Sequence, residues 1–154
     1  MDNCRYESGD EMKRLYLDTN ILIFMGTGGR GNLSIEVIEM LYGYEYILMT
    51  STECVKELIY SLLIGKIPIN KKDKNALTPF NVYEWLESQN IKVVPVDKQH
   101  LKKFAELPLY DDHKDPGDRI IIAQAIADKV SLVSSDRKFN RYEKNGLEFL
   151  YNER

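Results

Sequence analysis

The sequence has no apolar run approaching the ~18 residues that a membrane-spanning helix needs. Its polar start, Met1-Asp2-Asn3-Cys4-Arg5, lacks the apolar centre of a secretory signal, so the expectation is a cytoplasmic protein with no membrane partner. Cysteine is scarce. Cys4 and Cys54 lie too far apart in sequence to suggest a zinc site, and both read as ordinary reduced thiols. There is no basic excess either. A net charge of −3 and a pI near 5.5 argue against broad, charge-driven nucleic-acid binding, which requires a basic face. They leave room for a metal-dependent nuclease, because such an active site is itself acidic. No internal repeat or low-complexity segment interrupts the chain.

What is present fits one globular domain. The chain has 154 residues, of which 44% are hydrophobic, enough for a sizeable core but with little room for a second domain. Residues 1–13 read as a polar N-terminal extension and 14–154 as a single domain. Strands are expected at Arg14-Leu15-Tyr16-Leu17, at Tyr46 to Thr50, at Ile91 to Val96, at Ser131 to Ser134 and at Leu147 to Leu150. Between them, helices are expected after Asp18, after the Ser34 cap, from Ser51 to about Ile64, from Thr78-Pro79, after the Asp97 cap, and from Pro116 to about Lys129. This alternation indicates an α/β fold around a central, mostly parallel sheet flanked by helices.

Gly26-Thr27-Gly28-Gly29-Arg30-Gly31 formally satisfies a dinucleotide-binding fingerprint. The next helix cap, Ser34, falls beyond the last glycine, and the segment reads better as a flexible loop. Arg137-Lys138-Phe139-Asn140-Arg141-Tyr142 is a basic, aromatic stretch, readable as a solvated helix face or as a guide for a phosphate backbone.

The acidic residues carry the functional question. Asp18 and Asp136 each follow a strand, so a parallel sheet brings both to its carboxyl edge, where ligands bind in open α/β sheets. Asp118 sits in the first turn of a helix opened by Asp115-Pro116, where a carboxylate suits the helix dipole, and it too can reach that edge. In the Ser51 helix, Val55, Leu58, Ile59, Leu62 and Leu63 form an apolar stripe, with Glu53 and Glu57 opposite it. Periodicity therefore makes both glutamates solvated, as they would also be in a catalytic cleft. Two carboxylates ~5 Å apart repel by roughly 3 kcal/mol at an effective dielectric of about 20. A hard divalent cation such as Mg²⁺ or Mn²⁺ removes that repulsion and can promote phosphodiester hydrolysis.

These residues resemble the PIN-domain family, and within it the VapC-like toxins of type II toxin–antitoxin systems. Leu17-Asp18-Thr19-Asn20-Ile21-Leu22 is similar to the family's first strand and acid, and Ser51-Thr52-Glu53-Cys54-Val55-Lys56-Glu57-Leu58 to its Ser-to-Glu helix. His113-Lys114-Asp115-Pro116-Gly117-Asp118-Arg119 resembles the H-R-D-P-F-D-R stretch of one VapC-like subgroup, with Gly117 in place of the aromatic. Leu132-Val133-Ser134-Ser135-Asp136 is similar to the strand ending in T-x-D, with Ser134 in place of Thr.

The resemblance implies a PIN-like three-layer fold and a Mg²⁺- or Mn²⁺-dependent endoribonuclease. It makes Asp18, Glu57, Asp118 and Asp136 the metal-binding, catalytic acids, with Glu53 in reserve for Glu57. Thr19, Asn20, Ser134 and Asp115 would orient carboxylates or water, and Arg137, Lys138 and Arg141 would guide the RNA. It further implies a cognate antitoxin and a homodimer. Two alternatives compete: a catalytically silent RNA- or protein-binding module, and a phosphatase with an aspartate nucleophile. The latter is disfavoured because Asn20 stands where such enzymes place a second Asp.

Overall fold

Arg14-Leu15-Tyr16-Leu17 and Ser131-Leu132-Val133-Ser134 show no polar alternation, which demands that both faces of their strands be covered. The computed structural model, which describes residues 12–154, meets that demand. Strand β1 (Lys13–Leu17) lies at the centre of a five-stranded sheet ordered β3-β2-β1-β4-β5, with β2 Tyr46–Ser51, β3 Ile91–Val94, β4 Ser131–Ser134 and β5 Phe149–Tyr151. All neighbouring strands are parallel. Leu15, Leu17, Leu132 and Val133 are fully buried, with helices flanking the sheet to form the three-layer α/β arrangement. Because the chain goes from β1 to β2 on one side and returns to β4 on the other, the strand order reverses at the β1/β4 boundary.

The helices follow their caps. Asp18 caps α1 (Thr19–Gly26), Ser34 caps α2 (Ile35–Tyr42), and Ser51 caps α3 (Thr52–Leu63). Helix α4 spans Val82–Ser88, and α5 (Lys98–Glu106) starts in a capping box made by Asp97 and His100. The Asp97 N–H donates to His100 Nδ1, so His100 Nε2–H donates to Asp128 Oδ1 at 2.9 Å. This satisfies a fully buried imidazole. Asp115 caps α6 (Pro116–Asp128), and Lys129 ends it in the left-handed conformation at φ 56°. The buried Arg119 donates to the carbonyls of Phe104, Leu107 and Pro108, tying the first turn of α6 to the end of α5.

Several sequence expectations shift. Helix α4 begins at Val82 rather than at Thr78, because Asn81 accepts from the Thr78 N–H and donates to the Ala76 carbonyl, fixing a turn there. Leu63 leaves the apolar stripe at 60% exposure, and the fully buried Cys54 joins the core instead. Strand β1 includes Lys13, which the sequence reading assigned to the extension, and β3 stops before Pro95, which has no N–H for a ladder. Strand β5 comes two residues later than expected, at Phe149. The glycine-rich segment follows a helix, not a strand, and continues into a short 3₁₀ turn at Arg30–Asn32. This is the loop reading, and the fingerprint geometry is absent. Cys4 and most of the proposed extension lie outside the described residues. Among the described residues, no helix is long and apolar enough to cross a membrane.

Candidate metal centre

The site is built where the strand order reverses. Asp18 is the first residue beyond β1, and its N–H still bonds the Val133 carbonyl of β4 at 3.0 Å. Its carboxylate turns back to cap α1, accepting from the Thr19 N–H at 2.7 Å. The Ser134 hydroxyl, at the end of β4, donates to Asp18 Oδ2 at 2.6 Å and accepts from the Asp136 N–H at 3.0 Å. Asn20 Nδ2 approaches both Asp18 and Ser134, while its carbonyl oxygen accepts from the Ser135 N–H. Asn20 and Ser134 thus both hydrogen-bond the Asp18 carboxylate, and the Asp136 N–H bond to Ser134 draws Asp136 to the same rim.

Helix α3 supplies Glu57. Thr19, through the same turn that positions Asp18, donates its hydroxyl to Glu57 Oε2 at 2.6 Å. Glu53 is instead engaged by Lys56, at 2.8 Å. The glutamate that faces the cleft with Asp18 and Asp118 is therefore Glu57.

Helix α6 brings Asp118 over the cleft, its N–H bonded to the Asp115 cap at 3.0 Å. Ligand-capable atoms of Glu57, Asp115 and Asp118 lie within 4.8 Å of one another, so Asp115 stands among the potential ligands as well as capping the helix. A second group at the same spacing comprises His113, Asp118 and Asp136, with Asp118 common to both. Gly117 leaves the space that Glu57 uses: a Cβ there would overlap Glu57 Oε1 and come within 3.1 Å of Asp115 Oδ1 and Glu53 Oε1.

The cleft encloses about 540 Å³ and is lined by Asp18, Glu57, Asp115 and Asp118, with Lys66 as its one lining cation among the described residues. Burial, then the nearby Asp18, Asp115, Glu57 and Asp136 charges, pushes the Asp118 carboxyl up to about 8. Burial likewise pushes Asp18 up to about 6, against the opposing hydrogen bonds from Ser134 and Thr19. Glu57 is raised by burial too, and its bond from Thr19 acts the other way. These acids are short of positive charge, the electrostatic condition that a bound cation relieves.

His113 is the residue that sequence reasoning missed. It is 96% buried, being 4% exposed, and burial lowers its pKa. Nδ1 pairs with the Tyr142 hydroxyl at 2.8 Å. Nε2 faces Asp118 Oδ2 at 3.4 Å without hydrogen-bond alignment, and so has no partner. The oxygen-rich donor set together with this unpartnered buried nitrogen fits a divalent cation.

The basic stretch is less free than its sequence implied. Arg141 forms a two-pronged pair with Asp112, whose carboxyl it holds down at about 2. Lys138 reaches the Asp112 carbonyl at 3.3 Å, and Arg137 lies over the Tyr151 ring. Phe139 and Tyr142 are fully buried core residues.

The PIN domain family model matches residues 15–145. Among solved structures, the chain is similar to VapBC2 from Rickettsia felis bound to a DNA fragment from its promoter. That match has 19% identity and a TM-score of 0.65, covering 91% of this chain and 99% of the other. DNA-bound VapBC from Salmonella typhimurium matches at 23% identity and a TM-score of 0.63, covering 91% and 98% respectively. VapBC-5 from Mycobacterium tuberculosis, a member of the VapBC family of toxin–antitoxin systems, matches at 15% identity and a TM-score of 0.56, covering 92% and 98%. At these identities the likeness is one of fold. No curated protein matches the chain.

Proposed function

Since this chain belongs to the PIN domain family, we propose that it is a Mg²⁺- or Mn²⁺-dependent endoribonuclease and the toxin of a type II toxin–antitoxin pair. The observation that carries this reading is the convergence of Asp18, Glu57, Asp118 and Asp136, from separate elements, on the carboxyl edge of the sheet at its strand-order reversal. When bound, the cation supplies charge stabilisation at the scissile phosphate and lowers the pKa of water.

The chain's own residues do the rest. Asp18, Glu57, Asp118 and Asp136 hold the cation directly or through water. Thr19 fixes Glu57, and Ser134 and Asn20 fix Asp18, so the carboxylates keep their places as substrate binds. Asp115 keeps α6 in register and adds negative charge at the rim. Arg137, Lys138 and Arg141, which follow Asp136 closely in sequence, would guide the RNA backbone, Arg137 and Lys138 more freely than the Asp112-bound Arg141.

The toxin role is supported by the VapBC neighbours, which come from toxin–antitoxin systems. On this reading a cognate antitoxin covers the cleft, the toxin is a homodimer, and it acts on RNA in the cytoplasm. The deciding test incubates purified protein with a panel of RNAs and Mg²⁺ or Mn²⁺, alongside Asp118→Asn and an EDTA control. Cleavage by the wild type alone, abolished by EDTA, is expected. Equal cleavage by wild type and variant overturns the mechanism. RNA or antitoxin binding without cleavage, unchanged when all four acids are replaced, favours the silent binding module.

A further inference from the structure

We propose that His113 Nε2, together with Asp118 and Asp136, forms a second cation position in the cleft. This position takes a first-row transition cation through an imidazole nitrogen, and Asp118 is shared with the Glu57 and Asp115 side. The proposal rests on the reading of the cleft as a metal centre and adds a nitrogen ligand that the four acids do not include.

Three observations carry it. Potential ligand atoms of His113, Asp118 and Asp136 lie within 4.8 Å of one another. A six-coordinate cation about 2.1 Å from its ligands holds adjacent ones about 3 Å apart and opposite ones about 4.2 Å apart, so only a small closure is needed. Secondly, His113 Nε2 is a buried polar atom with no hydrogen-bond partner, facing Asp118. Such an orphan is destabilising unless something binds it. Thirdly, the ring is held in place. It packs edge-on against Phe139 and Tyr142, with centroids 5.7 and 5.5 Å away, and Nδ1 is engaged by the Tyr142 hydroxyl. In the tautomer whose Nδ1–H donates to Tyr142, the Nε2 lone pair faces Asp118 Oδ2, the usual outer-layer arrangement of a ligating histidine.

A nitrogen and two carboxylates make a mixed donor set. Imidazole favours transition metals, whereas Mg²⁺ prefers oxygen throughout. The position should therefore distinguish Mn²⁺ from Mg²⁺.

The probe is Mn²⁺ added to the purified, EDTA-stripped full chain and read by pulsed electron paramagnetic resonance. The chain has only two histidines, and His100 is committed to Asp97 and Asp128. An imidazole coupling to Mn²⁺ is thus expected from His113 alone. The wild type should show ¹⁴N modulation that becomes ¹⁵N coupling when histidine is ¹⁵N-labelled. In His113→Gln the coupling should vanish, with Mn²⁺ binding weakened at least about 10-fold and Mg²⁺ binding changed less than about 3-fold.

Bound Mn²⁺ that depends on Asp118 but shows no histidine coupling overturns this proposal and leaves the metal-dependent nuclease reading standing. Failure of Mn²⁺ to bind, or binding indifferent to Asp118→Asn, overturns both. The labelled wild-type spectrum decides the matter even where His113→Gln does not fold. Tyr142→Phe, which keeps the ring packing but removes the hydroxyl, should weaken Mn²⁺ binding in the same direction.

Discussion

Ser134 Oγ and Asp18 Oδ2 are 2.6 Å apart, joined by a fully buried hydrogen bond from the end of β4 to the end of β1. Because both residues terminate adjacent strands of one sheet, this bond sets where the most deeply buried acid of the cleft points. The smaller Ser134, standing where the family resemblance places Thr, still provides the hydroxyl.

Removing that hydroxyl should therefore be felt at the metal. Ser134→Ala is expected to weaken Mn²⁺ binding about 10-fold or more and to reduce stability by about 1–3 kcal/mol. Ser134→Thr should retain both. Metal titration and chemical denaturation of the two variants check this, and an Ala variant with wild-type affinity would contradict it.

The cation-free protein should lose stability as pH rises. Asp118, raised to about 8, and Asp18, raised to about 6, bind protons more tightly folded than unfolded. Their contribution is complete below the unfolded carboxyl range of about 4 and is lost as pH climbs through the folded values. Urea unfolding from pH 5 to 9 in EDTA should show a decline of about 2 kcal/mol per pH unit near pH 5–6, easing to about 1 near pH 7 and levelling off above pH 8. Asp118→Asn should flatten the slope, and saturating Mn²⁺ should reverse it by favouring the ionised carboxylates. A cation-free Asp118→Asn protein with the wild-type slope would refute the assignment.

Gly117 should be a positioning residue for Glu57. A Cβ would overlap Glu57 Oε1, yet Gly117 is not among the glycines with positive φ, so alanine suits its backbone. Gly117→Ala should thus keep or slightly raise the melting temperature through better helix propensity. Displacement of Glu57 should lower metal affinity and RNA cleavage, each by about 10-fold. Loss of folding instead would show that the glycine serves the backbone.

The three basic residues should contribute unequally to RNA binding. If Arg137 and Lys138 contact phosphates, alanine at either should lower the slope of log affinity against log salt by about 0.7 on single-stranded RNA. Arg141→Ala should change it less, because Asp112 already neutralises that guanidinium. Binding isotherms at several salt concentrations, made with the inactive Asp118→Asn background, separate the contributions.

Much of the frame was legible in the chain because it depends on local pattern. Unalternating apolar runs marked β1 and β4 as covered on both faces, and Ser34, Asp97 and Asp115 announced their helices as caps. The start of α4 was not legible, since the Asn81 turn that delays it depends on bonds to Thr78 and Ala76 that propensity does not count.

Within the site, the positions of Asp18 and Asp136 after parallel strands followed from the sequence, as did Asp118 in a capped first turn. Periodicity left Glu53 and Glu57 equivalent, because residues four apart lie on the same helical face, and only the family resemblance favoured Glu57. Their distinction comes from Thr19 on α1 and Lys56 beside Glu53. His113 carried no periodic signal at all. Its meaning depends on Tyr142, 29 residues away, and on an orphaned nitrogen aimed at Asp118. The basic stretch shows the converse case, where a charge cluster plain in sequence is partly neutralised by Asp112. The sequence by itself determined the α/β alternation, the caps and the inventory of acids, because these rest on neighbours along the chain. Only the tertiary structure decided which glutamate, which histidine and which cations face the cleft, because those choices depend on side chains brought together from distant segments.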